Sequence, residues 1–148
     1  LMLLHPGIDA VKMVVRPATP QGIRPACDHL AMDWREGDRT YLFHWAHGPF
    51  LYCEIKTGRT FPDKIIGLSS RADWSYYIRE LEPLRGHSRV WVVTINTPPP
   101  LVRQDPTFIT TYLDTVGRRI ESRVFEESSV YLFDLSAAPP ASRAHAES

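Results

Sequence analysis

Residues 89–95, which read Arg-Val-Trp-Val-Val-Thr-Ile, constrain the fold of this chain more than any other segment. β-Branched and aromatic side chains occupy both alternating faces, a pattern typical of a strand that is buried on both sides. Such a strand lies in the interior of a sheet whose two faces are covered. The run stops at Asn96, and Pro98-Pro99-Pro100 then ends the ladder because proline has no backbone N–H to donate.

The segments around this strand alternate between helical and strand patterns. Helices are predicted at about 19–34, 48–57, 70–82 and 105–116, strands at 40–45, 64–68 and 89–95, and a final hairpin pairs 120–125 with 130–135. Proline at the first helical position and glycine after the last one mark several of the helix ends. This order predicts an α/β fold, a three-layer Rossmann-like sandwich with a mostly parallel sheet and a C-terminal antiparallel hairpin.

Length and composition are those of a single folded domain. The chain has 148 residues, of which 43% are hydrophobic and 23% are charged, so disordered and collagen-like architectures are excluded. We expect an extended N-terminal segment over 1–18, one α/β domain over 19–136 and a flexible tail over 137–148, which lacks bulky apolar side chains. The 17 basic and 17 acidic residues leave a formal net charge of +0, so the overall charge indicates no nucleic-acid partner.

The two cysteines, Cys27 and Cys53, are too few for a disulfide-rich scaffold or a four-cysteine zinc site. A single bridge between them would close a loop of 26 residues, which contributes about 3.5 kcal/mol in the chain-entropy model. Two buried free thiols are equally compatible with the sequence.

The residues that enzymes use for phosphate binding, acid–base chemistry and metal binding form no complete set. The loop Ala46-His47-Gly48-Pro49 has one glycine where a dinucleotide-binding turn needs several. His44, His47 and Cys53 are an incomplete metal-ligand pattern, and no paired carboxylates or Gly-x-Ser-x-Gly elbow are present. The sequence therefore predicts no catalytic residue, no metal and no cofactor.

A ligand site, if present, is expected beyond the carboxyl ends of the parallel strands, where helix N-termini converge. Trp45 and Phe50 would supply apolar surface beside it. Short polar side chains at these ends would contact the ligand; they are His47, Ser69, Ser70, Asn96 and Thr97. This composition suits a sugar or lipid-head-group hydroxyl rather than a polyphosphate. The alternative is that these residues only cap helices and end strands.

Five segments together resemble a known family. They are GDRTYL (37–42), GPFLY (48–52), LRGHSRVWVV (84–93), YLDTVGRR (112–119) and SVYLFDL (129–135). The chain is similar, over about 20–135, to the C-terminal extramembrane (periplasmic) domain of bacterial polytopic glycosyltransferases like the dolichyl-phosphate-mannose-protein mannosyltransferases. It departs where related sequences commonly have a serine-histidine pair, since it reads Thr94-Ile95-Asn96-Thr97-Pro98 there.

The resemblance implies a noncatalytic domain on the extracytoplasmic face of the bacterial inner membrane. In such families a multi-pass membrane region precedes this domain and carries the catalytic carboxylate, so residues 1–18 would follow a membrane helix. The implied partners are the parent protein's own transmembrane region and a sugar or lipid-linked sugar.

Two other interpretations stay open, a standalone α/β enzyme that acts on a small molecule and an interaction module without a ligand. A hydropathy profile of the full-length gene would separate them from the first, because several apolar spans of ~20 residues upstream would indicate the membrane protein.

Overall fold

The structure, a computed structural model, describes residues 20–67, 74–96 and 105–136. Four α-helices and five strands follow one another in these ranges: α1 (Pro20–Asp33), β1 (Arg39–Leu42), α2 (His47–Thr57), β2 (Lys64–Ile66), α3 (Trp74–Leu81), β3 (Val90–Ile95), α4 (Asp105–Val116), β4 (Arg118–Val124) and β5 (Ser128–Asp134). Single-turn 3-10 helices lie at His44–Ala46 and Glu82–Leu84. The predicted alternation of helices and strands is confirmed for these segments.

The five strands form one mixed sheet in the order β2-β1-β3-β5-β4. β1 pairs in parallel with β2 and β3, whereas β5 pairs antiparallel with both β3 and β4. The α/β class and the C-terminal antiparallel hairpin are confirmed. The expectation of a mostly parallel sheet is wrong, because β5 is the apolar strand of the hairpin and therefore inserts beside β3, leaving the mostly exposed β4 at the edge. The two antiparallel ladders are longer than the two parallel ones.

β3 is the central strand, and all six of its residues are buried. The ring of Trp91, which is fully buried as its strand pattern predicts, lies 6.1 Å from the ring of His29 in α1. Val92 lies on the opposite face beside Tyr41, whose hydroxyl reaches Glu80 of α3. Helices therefore contact the central strands from opposite sides.

Two local predictions differ from the structure. The strand expected over 40–45 ends at Leu42, because the chain turns into the 3-10 helix at His44. Trp45, the last residue of the predicted strand and an expected apolar surface beside a ligand, consequently lies in this 3-10 helix and is 39% exposed. By contrast, Gly58 ends α2 in the left-handed conformation (φ 69°), as predicted. The extended segment 1–18, the flexible tail 137–148 and the predicted helix cap at Ser70 lie outside the described residues.

Cys27 and Cys53 form a disulfide that joins α1 to α2, with their Cα atoms 6.7 Å apart. Both cysteines are buried in the core. The bridge settles the alternative that the sequence left open. None of the helices within 20–67, 74–96 and 105–136 has the length and apolar character needed to cross a bilayer.

Candidate functional site

A small cavity lies at the carboxyl end of β3, between the sheet and the first turns of α4. Its volume is about 160 Å³. We call it the strand-end cavity, and its lining residues are Thr94, Ile95, Asn96, Pro106, Thr107, Thr110 and Tyr131. The polar groups among them are hydroxyls and one amide, and none of the seven side chains is charged.

Register and helix spacing explain how these side chains converge. Tyr131 is the β5 partner of Val92, and Thr94 lies two residues beyond Val92 on the same face of β3. Pro106 and Thr110 are four residues apart and therefore project from one side of α4. The Thr110 hydroxyl donates back to the carbonyl of Thr107 at 3.1 Å or Pro106 at 3.3 Å, which leaves oxygen lone pairs free to accept.

Asn96, a predicted ligand residue, lies on the wall of this cavity and also joins β3 to the hairpin loop. Its side-chain nitrogen donates to the carbonyls of Ser128 (3.1 Å), Glu126 (3.3 Å) and Phe125. Its Oδ1 accepts a hydrogen bond of 2.5 Å from the Ser129 hydroxyl. The amide therefore holds the end of β3 against the loop, and the hydroxyls of the neighbouring threonines and Tyr131 are left as the contacts for a ligand.

The other predicted site residues do not line this cavity in the described part of the chain. His47 is the first residue of α2, the helix that the disulfide holds against α1. Phe50, expected as accessible apolar surface, is fully buried and packs with its ring 5.6 Å from that of Phe61. Ser69, Ser70 and Thr97 lie outside the described residues.

A largely buried cluster of two tyrosines and two carboxylates, which the sequence did not indicate, ties β1 to α3 and α4. The Tyr41 hydroxyl donates to Glu80 at 2.9 Å, and the Tyr77 hydroxyl donates to Asp105 at 2.5 Å. Burial, followed by the negative charge of Glu80, raises the pKa of Tyr41 far above its usual range. Because each carboxylate has a tyrosine donor, these groups act in packing the helices on the sheet.

Asp38, in the turn before β1, is a buried carboxylate that lies outside the strand-end cavity. It is 3% exposed and accepts hydrogen bonds from Trp91 Nε1 (2.8 Å), Arg89 Nε (3.0 Å) and the Arg35 backbone N–H (3.0 Å). The carboxylate thus fixes the turn before β1 to the start of β3. Since its side-chain partners, Arg89 and Trp91, lie more than 50 residues away along the chain, no local pattern could have indicated this role.

A second group of side chains converges on the face of the sheet that packs against α1, opposite the face that carries the strand-end cavity. His29 and Asp33 from α1 meet Glu121 from β4, and one ligand-type atom of each lies within 4.8 Å of the others. His29 Nε2 is 3.7 Å from Asp33 Oδ2 and contacts Glu121 Oε1 directly. The i,i+4 spacing of His29 and Asp33 was a visible signal, but Glu121 follows 88 residues after Asp33 and was not predicted to join them.

Comparison with family models, curated proteins and solved structures finds no significant match to this chain.

Proposed function

We propose that this chain is a noncatalytic, extracytoplasmic domain of a membrane-embedded, glycosyltransferase-like protein, and that its strand-end cavity contacts hydroxyl groups of a sugar or lipid-linked sugar. The observation that carries the proposal is the neutral, hydroxyl-rich lining of this cavity at the carboxyl end of β3. Ligands of open α/β sheets bind beyond this end of the strands.

The lining chemistry favours a neutral polyol over a phosphate. Threonine and tyrosine hydroxyls both donate and accept hydrogen bonds, so they match sugar hydroxyls, whereas phosphate sites use arginine, lysine or several free backbone N–H groups. The volume of about 160 Å³ is smaller than the ~300–1,000 Å³ of sites that enclose a whole small molecule. We infer that one edge of a sugar ring enters the cavity and the remainder stays outside.

The disulfide supports the proposed compartment. Structural disulfides persist in oxidising surroundings such as the bacterial periplasm and are rare in the cytosol. The Cys27–Cys53 bridge therefore favours the extracytoplasmic face of the bacterial inner membrane. The membrane region as a partner rests on the family resemblance of the sequence, whereas a three-layer Rossmann-like arrangement of the full domain rests on the alternation of helix and strand patterns along the chain.

The noncatalytic role is supported by the positions of the buried carboxylates. Asp38 is held by Trp91 and Arg89, Glu54 accepts from Lys64 Nζ at 2.8 Å, and Asp105 accepts from a tyrosine. None of these carboxylates lines the strand-end cavity. A carboxylate that acted as general acid or base on a ligand there would have to lie within hydrogen-bond reach of it. This arrangement favours recognition over a small-molecule enzyme.

An NMR titration of the ¹⁵N-labelled protein with short glycans and lipid-linked sugar analogues tests the proposal. We expect shifts at the end of β3, in the first turns of α4 and at Tyr131. Thr107→Val keeps the side-chain shape but removes a hydroxyl of the lining, and should weaken binding roughly three- to tenfold. Thr111→Val, at an exposed position of the same helix outside the lining, is the matched control and should leave binding unchanged.

Shifts confined to another face, or no shifts at millimolar ligand, would remove the cavity as a sugar site. The membrane context has its own test in the hydropathy profile of the full-length gene, where the proposal requires several apolar spans of ~20 residues.

A further inference from the structure

We propose that His29, Asp33 and Glu121 form a binding site for a divalent transition-metal ion, with Zn²⁺ as the best match, that links α1 to the edge strand β4. The site is independent of the strand-end cavity and of any sugar. It rests on the convergence of three ligand-type atoms, on the way the backbone directs Glu121, and on the type of the three ligands.

Two of the three ligand atoms already lie near the spacing that a tetrahedral ion needs, and the third lies closer to the imidazole and would move outward as an ion enters. Bonds of ~2.1 Å to zinc at tetrahedral angles place neighbouring ligand atoms ~3.4 Å apart. His29 Nε2 and Asp33 Oδ2 are 3.7 Å apart, and Glu121 Oε1 contacts the same nitrogen directly. Nε2 carries at most one proton and can donate it well to only one carboxylate, whereas a metal ion between the three atoms would satisfy both carboxylates at once.

The backbone of β4 departs from a regular strand at the point that directs Glu121 into this group. Arg119 pairs with Phe133 and Glu121 pairs with Leu132, so Ile120 is an extra residue in a β-bulge. Without the bulge, Ile120 would lie opposite Leu132 on the face toward α1. Instead Ile120 is 48% exposed and a carboxylate takes the inward position beside His29. A strand optimised only for packing would place the isoleucine there.

His29 is also held in place. Its side chain is 14% exposed, and its ring meets the edge of the buried Trp91 ring in a T-shaped contact. α1, which carries both His29 and Asp33, is fixed by the disulfide to α2 and packs against β5. Two elements that the core already orients thus supply the three ligands, which reduces the conformational entropy lost when an ion binds.

The ligand set selects the class of ion. One imidazole and two carboxylates suit Zn²⁺ and similar first-row ions, whereas Mg²⁺ and Ca²⁺ prefer all-oxygen sites. Three protein ligands also leave a fourth position open.

Arg123 lies beside this group, with its Nε 3.6 Å from Glu121 Oε1, and its positive charge would repel a bound cation. Its side chain is 59% exposed and is free to move into solvent. Removing this arginine should therefore strengthen metal binding.

Isothermal titration calorimetry of the chelator-treated protein with ZnCl₂ tests the site. We expect one Zn²⁺ per chain at the site, with clearly weaker binding of MgCl₂ and CaCl₂. Glu121→Gln and His29→Gln should each reduce Zn²⁺ affinity at least roughly tenfold, since losing a direct ligand costs no less than losing an outer partner. Arg123→Gln should increase affinity. His44→Gln and Glu36→Gln, exposed residues outside the group, are the matched controls.

Co²⁺ provides a readout of geometry, since a four-coordinate site gives a strong visible absorption band that an ion on the protein surface does not. Asp33→Asn, at a half-exposed position on the helix, preserves the fold and decides the question if His29→Gln fails to fold. Zn²⁺ binding that is equal in the wild type, Glu121→Gln and Asp33→Asn, or no binding above that of the controls, would overturn the proposal. In that case the three residues are joined only by the direct contacts of His29 with Glu121 and Asp33.

Discussion

Single buried polar residues determine how the elements of this chain are held in register. Asp38 accepts hydrogen bonds from the side chains of Arg89 and Trp91, which joins the turn before β1 to the start of β3. A buried carboxylate is costly unless it is paired, and here it has two side-chain donors and one backbone donor. Removal of either partner side chain would leave a buried charge with fewer donors. The hydrogen bonds from Arg89 and Trp91 to Asp38 therefore favour the observed alignment of β1 with β3.

Tyr41 gives a prediction for the alkaline range. Burial and the Glu80 carboxylate hold its pKa above the ordinary value of about 10. Above that pH the unfolded chain loses the tyrosine proton while the folded protein keeps it, so the unfolded state binds fewer protons and stability falls as pH rises. Below it both states are protonated and this residue adds no pH dependence.

The measurement compares the wild type with Tyr41→Phe by urea unfolding across a pH series. The free energy of unfolding of the wild type should fall more steeply above about pH 10, by up to about 1.4 kcal/mol per pH unit relative to the variant. Parallel pH profiles of the two proteins would show that the Tyr41 hydroxyl ionises as readily in the folded state as in the unfolded one.

Among the elements, α1 and α2 depend on a covalent link. The Cys27–Cys53 bridge closes 26 residues that include all of β1. The double variant Cys27→Ser, Cys53→Ser should lose about 3.5 kcal/mol of unfolding free energy by the chain-entropy relation. A reducing agent should lower the urea midpoint of the wild type and leave that of the double variant unchanged. Two reactive thiols in the oxidised, denatured wild type would contradict the bridge.

The elements also show which parts of the structure the sequence could predict. Helix bounds follow from local signals, and Gly58 and Pro20 mark the end of α2 and the start of α1 as expected. The alternation of helix and strand patterns does not by itself give the strand order, since it does not say which strand of the final hairpin pairs with β3. The exposed pattern of β4 and the buried pattern of β5 decide it, and this contrast was visible in the sequence.

The residues of the candidate sites could likewise be predicted only where a local sequence pattern indicates them. Asn96 was predicted at the end of β3 because a strand end is a local feature, and it does line the strand-end cavity. Thr107, Thr110 and Tyr131 were missed because they reach the cavity only through the pairing of β5 and the packing of α4. Glu121 was missed because a bulge reverses the face on which alternation places it.

At the scale of the whole molecule, β3 is the point where the parallel and antiparallel halves of the sheet meet. It pairs in parallel with β1 on one side and antiparallel with β5 on the other. The two edge strands are less buried than β3. β2 has three residues, none of them fully buried, and β4 is exposed along most of its length. Stability should therefore decrease outward from β3 toward both edges of the sheet.

Native-state amide hydrogen exchange measured by NMR checks this order. Backbone amides of Val90–Ile95 that donate within the sheet should exchange most slowly, through global unfolding, because the strand is hydrogen-bonded on both sides and every side chain in it is buried. Amides of β2 and β4 should exchange faster, through local opening that leaves β3 intact. If the β2 or β4 amides were as protected as those of β3 and responded equally to denaturant, the sheet would unfold as one cooperative unit. Stability would then not decrease from β3 toward the edges, because burial and two-sided pairing would not have set the protection of individual strands.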